Sequence, residues 1–129
     1  MNTASQFGLV ALGGAVGAAC RFAVYLGAAL AGRTEFPFAT LVVNAVGSLI
    51  AGLLFTLFAT AWQHDPAWRL FALTGLLGGF TTFSAFSVET LTLFQAGQVR
   101  AAALNVVANT VLCLVLCSAG IALARRALA

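Results

Sequence analysis

The sequence predicts an all-α membrane protein of four transmembrane helices, the third of them broken. Three observations carry that expectation. Of the 129 residues, 62% are hydrophobic and only 7% charged. A soluble domain carries about 25% charged residues, so this chain could not cover a water-facing surface. Four apolar stretches, about 7–30, 38–62, 68–94 and 101–123, each come near the ~20 residues that a bilayer core requires. They are expected to form one transmembrane domain spanning 1–129. The third stretch is a poor helix at its centre, around Gly78-Gly79-Phe80-Thr81-Thr82-Phe83-Ser84. Two adjacent glycines cost about 1 kcal/mol each relative to Ala, and a β-branched pair and two hydroxyls (Ser84, Ser87) follow. Irregular backbone at membrane depth is tolerated only where it is buried in protein or lines a cavity.

Residues Met1 to Gln6 hold no Lys or Arg, and the apolar run that follows is too long for an h-region, so no signal peptide is expected. In the first stretch Gly13 and Gly17 form a small-xxx-small face that lets another helix approach closely. Arg21 lies inside it. A charge within a span calls for a partner or a wet pocket; the alternative is a head that snorkels to the interface. In the second stretch Thr40 and Asn44 share one helix face, and Asn44 is the only strongly polar side chain there. An interhelical hydrogen bond is its plain reading, a ligand donor the sharper one. Gly47, Ser48, Ala51 and Gly52 offer a second close-packing face. His64, in the following loop, is expected to be solvated, with no cluster around it that could hold a metal. The fourth stretch carries Asn105, Asn109 and Cys113 at i, i+4 and i+8, one stripe along the helix. Cys20, Cys113 and Cys117 have no paired or metal-ligand spacing and read as small buried residues.

Charge adds a constraint on topology. All six cations are arginines, scattered too thinly for nucleic acid. Four spans put Arg69, Arg125 and Arg126 on one side and Arg33 and Arg100 on the other. Three against two is almost no positive-inside bias. Insertion in both orientations, and with it an antiparallel homodimer in the bilayer, follows as a physical option.

Enzyme chemistry is unsupported, since no His/Asp/Ser set, paired carboxylate, Cys cluster or phosphate loop is present. Cation transport favours carboxylates within the spans, and Glu89 is the only candidate. A small anion is the better match. Phenylalanine ring edges carry the positive end of the aromatic quadrupole, and donors from Asn44, Ser84, Asn109 and Thr110 could replace its water shell. The break would also free backbone carbonyls at the end of a half-helix; unwound carbonyls of that kind can coordinate Na⁺. Plain helix packing is the competing account of Gly78-Gly79.

Three stretches resemble signatures of the Fluc (CrcB) fluoride channels. They are Gly75-Leu76-Leu77-Gly78-Gly79-Phe80-Thr81-Thr82-Phe83-Ser84-Ala85-Phe86-Ser87-Val88-Glu89, Gly13-Gly14-Ala15-Val16-Gly17-Ala18-Ala19-Cys20-Arg21-Phe22, and Phe38-Ala39-Thr40-Leu41-Val42-Val43-Asn44-Ala45-Val46-Gly47-Ser48. The resemblance runs in order over essentially the whole chain. It implies an antiparallel dual-topology homodimer in the bacterial inner membrane, with two fluoride pores and a structural Na⁺ at the dimer interface. By motif position the Na⁺ carbonyls fall on Gly78 and Thr81, the pore phenylalanines on Phe83 and Phe86, and Phe80 on packing. Asn44 and Ser84 match pore-facing residues, and Asn105, Asn109 and Thr110 fall on the polar track of the fourth helix. Asn105 and Asn109 depart from the hydroxyls usual there, and Ala85 stands where a Thr is common. Arg21 matches a vestibule arginine and Glu89 a pore-end or interhelical carboxylate.

Such a channel protects the cell without pumping: HF crosses membranes neutral, releases F⁻ in a less acidic cytosol, and the anion leaves down its electrical gradient. The alternatives are a small antiparallel multidrug or cation exporter, and a structural membrane subunit. The exporter needs an embedded acid in the first span, where this chain has Arg21. The structural subunit leaves the Thr-Thr-Phe-Ser segment unexplained.

Overall fold

The computed structural model describes every residue except Thr34, His64 and Asp65; the expectation for His64 therefore lies outside the described residues. The described chain is helical, with four stretches long and apolar enough to cross a membrane: Thr3–Leu30, Phe38–Thr60, Pro66–Gln95 and Val99–Leu128. It is a multi-pass membrane protein. Large apolar side chains cover its outside, among them Phe7, Leu30 and Leu114, each more than three-fifths exposed.

Helix α1 (Thr3–Leu30) starts at Asn2, whose side chain accepts the Ser5 N–H at 2.8 Å, and so satisfies one of the free donors of the first turn. It ends at Gly32, whose φ of +68° lies in the left-handed region that favours a residue without Cβ. There the Gly32 and Arg33 amides close back on Ala29 and Ala28, satisfying the last carbonyls. Helix α2 spans Phe38–Thr60. The third crossing is composite: α3 (Pro66–Arg69), a π-helical segment (Leu70–Leu77), α4 (Gly78–Phe80) and α5 (Phe83–Gln95). Gly97, at φ +76°, ends α5 as Gly32 ends α1, and α6 (Val99–Leu128) completes the chain.

Two glycine-lined seams hold these helices. In the first, α1 lies on the π-helical segment and α4. A Cβ on Gly13 or Gly17 would collide with the carbonyls of Phe71 and Leu76, and one on Gly79 would stand 2.5 Å from the Gly14 carbonyl. In the second, α2 lies on α6, with Gly52 against Cys117 and Gly120 against Leu49. Without a hydrophobic force between helices in lipid, such backbone approach supplies the van der Waals contact that holds them.

Within the expected stretch the break falls on the threonine pair, and the packing account of the glycines holds for Gly79. Gly78 is helical, at φ −61° and ψ −36°; the extended residues are Thr81 (ψ 159°) and Thr82 (φ −153°, ψ 118°). Gly79 is the close-packing residue of the pair, whereas nothing stands within 4 Å of a Cβ on Gly78. The cysteines differ from expectation: Cys20 is exposed and Cys113 and Cys117 are half-buried on the single chain.

Candidate ion pathway at the helix break

Because Thr81 and Thr82 are extended, the Gly78, Gly79 and Phe80 carbonyls lose the i+4 amides that a continuous helix would supply. The Thr82 amide turns instead to Asn44, donating to its Oδ1 at 2.8 Å, and the Asn44 amide returns a bond to the Thr82 carbonyl at 3.0 Å. One side chain of α2 thus satisfies both backbone groups of a buried residue. Thr82 also caps α5, its Oγ1 accepting the Ala85 N–H at 3.1 Å. The positive end of the α5 dipole therefore lies within the third crossing.

A groove of about 600 Å³ opens beside the break, lined by α2, the broken helix and α6. It gathers Asn44, Phe83, Phe86, Asn109 and Thr110 with both Gly78 and Thr81. The two phenylalanine rings lie 5.2 Å apart, inclined at 50°, and Phe83 is 78% exposed on the single chain. Phe80 packs toward Gly47 of α2. The asparagine donors are already committed. Asn44 spends its remaining N–H on Asn109 Oδ1 at 3.1 Å, and Asn109 directs its amide to the Asn105 side chain and carbonyl at 2.9 and 3.1 Å. Thr110 and Ser48 bring hydroxyls to the same groove.

Other residues of the expected set lie elsewhere. Asn105 is fully buried and donates to Thr90 Oγ1 at 2.9 Å. Ser84 lines a second cleft, of about 650 Å³, with Arg21 and Tyr25 between α1 and α5. Arg21 is half-buried there, its Nη1 3.4 Å from the Thr81 carbonyl. Glu89 joins three helices. Thr40 donates to its Oε1 at 2.7 Å, which leaves the short Tyr25–Thr40 contact to be donated by the Tyr25 hydroxyl. Glu89 Oε2 is buried with no partner among the described residues.

Tyr25, Ser48, Thr82 and Thr90 are the participants that sequence reasoning missed. Thr82 carried a usable signal, a Thr three residues before Ala85 at the start of a helical run. Tyr25 stands one turn after Arg21 on the same face of α1.

A family profile described as "CrcB-like protein, Camphor Resistance (CrcB)" matches residues 8–121. The chain belongs to this family. Among CrcB-like relatives it is 44% identical over 117 residues to "Fluoride-specific ion channel FluC 2" of Nitrobacter hamburgensis, covering 91% of this chain and 94% of the relative. It is 45% identical over 113 residues to "Fluoride-specific ion channel FluC" of Idiomarina loihiensis, covering 88% and 87%. To a protein of the same name from Thermococcus kodakarensis it is 43% identical over 117 residues, covering 91% and 94%. The matched region of this CrcB-like chain takes in both glycine seams, the broken crossing and the groove.

Proposed function

We propose that this CrcB-like chain is a fluoride-specific ion channel whose anion path runs along the groove at the helix break, and that it lets cytoplasmic fluoride out. The supporting observation is the groove's composition: two phenylalanines, hydroxyls and the start of α5, without a carboxylate among the described residues. Ring edges, O–H groups and a helix N-terminus all present partial positive charge to an anion. None is a fixed cation that would trap it, and conduction requires exit as well as entry. A narrow, dry path whose donors fit only the smaller ion would exclude chloride. The driving force is electrical, about 2.3 kcal/mol per charge for each 100 mV.

The groove is open along one side, so the path is closed by a second copy of the chain. An antiparallel pair has two such grooves and therefore two pores. Its breaks suit a shared structural Na⁺. The Gly78 carbonyl has lost its helical donor, since the Thr82 amide turns to Asn44, and carbonyl oxygens need no acidic cluster to hold Na⁺. The Thr81 carbonyl fits as the second ligand once Arg21 yields it. When bound, the ion would supply a fixed positive charge joining the two breaks; Gly78 and Thr81 are the residues of this chain that would hold it. The exporter reading loses support, because Glu89 is tied to Thr40 rather than turned into the groove.

Purified protein in liposomes should release F⁻ electrogenically and retain Cl⁻; comparable Cl⁻ release would overturn the assignment. Replacing Na⁺ throughout by a larger cation should weaken the dimer, seen as a shift to monomer on size-exclusion chromatography, and indifference would remove the proposed ion.

A further inference from the structure

The hydrogen bonds around the break form one chain that runs in a single direction. The Thr82 amide donates to Asn44 (2.8 Å), Asn44 to Asn109 (3.1 Å), Asn109 to Asn105 (2.9 Å), Asn105 to Thr90 (2.9 Å) and the Thr90 hydroxyl to the Phe86 carbonyl (2.7 Å). It leaves the broken helix at its last extended residue, crosses α2 and α6, and returns to α5 one turn later. Its two ends set the direction. A peptide N–H can only donate and a carbonyl can only accept, so each amide between them has one workable orientation. Bonds aligned in this way polarise and strengthen one another at low dielectric. Thr82, Asn105 and Asn109 are all buried, so water offers no ready replacement.

Phe83 lies between the two backbone groups that this chain ties down, and Phe86 carries one of them. Asn109 has no donor left for an ion, and Asn105 does not reach the groove. We propose that Asn105, Asn109 and Thr90 are positioning residues that hold the Phe83–Phe86 pair at the start of α5, beside the break, rather than donors that touch the permeating anion. The proposal rests on the fluoride-channel reading for its consequence in transport, but the coupling from Thr90 to Phe83 stands on geometry alone.

The test reads both. Full-length protein carries 4-fluorophenylalanine at Phe83, observed by ¹⁹F NMR, with a second label at the exposed, distant Phe7 as a control of folding. Fluoride release from liposomes is measured with unlabelled protein. Thr90→Val should shift or broaden the Phe83 signal, leave the Phe7 signal in place and slow release roughly tenfold, and Thr90→Ser should restore both. Asn109→Ser keeps a donor but is too short to span Asn44 and Asn105, so it should slow release as Thr90→Val does. The double variant should be no slower than the slower single one, as members of one network are non-additive. If Thr90→Val perturbs the Phe7 label, Asn105→Asp replaces it, since it keeps the volume but removes the donor to Thr90. An unmoved Phe83 signal, multiplying losses in the double variant, or unimpaired release by Asn109→Ser would each overturn the proposal. A wild-type protein that releases no fluoride would overturn the channel reading alone, because the NMR arm does not depend on transport.

Discussion

Replacing Asn44 by Ala removes three hydrogen bonds at one stroke, two to the Thr82 backbone and one to Asn109. What remains is an unsatisfied amide and carbonyl on a residue 7% exposed, and an unsatisfied amide oxygen on one 6% exposed. Side-chain bonds between membrane helices average about 0.6 kcal/mol, because the separated helices find other partners; the Asn44–Asn109 bond belongs to that class. The Thr82 groups are different. Their extended backbone has no helical alternative, and an orphaned buried group costs about 1–3 kcal/mol. Together these give a loss of roughly 3–7 kcal/mol, the upper part reached if the groove admits no water. Asn44→Asp keeps an acceptor for the Thr82 amide but loses both donors, so it should fall between wild type and Ala. The assay is reversible unfolding in mixed detergent micelles followed by circular dichroism, alongside fluoride release from liposomes. A loss below ~0.5 kcal/mol for Asn44→Ala, with release unchanged, would show that Asn44 does not hold the break.

Within α1, Gly17→Ala and Gly27→Ala should behave oppositely. A Cβ at Gly17 meets the Leu76 carbonyl and stands 2.8 Å from the Phe80 amide, whereas at Gly27 it meets nothing. The first should destabilise by about 1–3 kcal/mol and the second should be neutral or stabilising by up to ~1 kcal/mol, read by the same unfolding assay. Thr82→Val keeps the side-chain shape but removes the cap on Ala85, costing about 1 kcal/mol, and Thr82→Ser should recover most of it. Phe83→Ile and Phe86→Ile should each slow fluoride release at least tenfold while size-exclusion profiles stay unchanged; wild-type rates in both would remove the rings from the ion path.

Hydropathy located all four crossings, because a span is a local property of length and composition. The Gly13–Gly17 face was legible for the same reason, as were the polar residues Asn44, Asn105 and Asn109 on their helices. The partners of those side chains were not. The Asn44 bonds reach residues 38 and 65 positions away, and only the packing of α2 against α5 and α6 brings them together. The glycine pair left the exact place of the break open, since a glycine lowers helix propensity whether it interrupts a helix or admits a neighbour. Gly79 has Gly14 against it and remains helical. The true interruption is fixed by a tertiary bond, Asn44 to Thr82, which intrinsic propensity does not contain. Ser84 was grouped with the pore donors by its hydroxyl and its motif position, whereas the turn at Thr82 places it in the cleft beside Arg21.

The two extended threonines also reset the angular phase of the third crossing. In an uninterrupted helix Phe80 and Phe83, three residues apart, would project over the same face. Here Phe80 points to Gly47 while Phe83 is turned outward. The two halves of the crossing can therefore be aimed separately, the first by its glycines on α1 and the second by the Asn44 clamp. A change that rotates one half need not rotate the other. A one-residue deletion before Leu77 should disturb the glycine seam first, whereas one after Phe83 should move the rings and spare that seam.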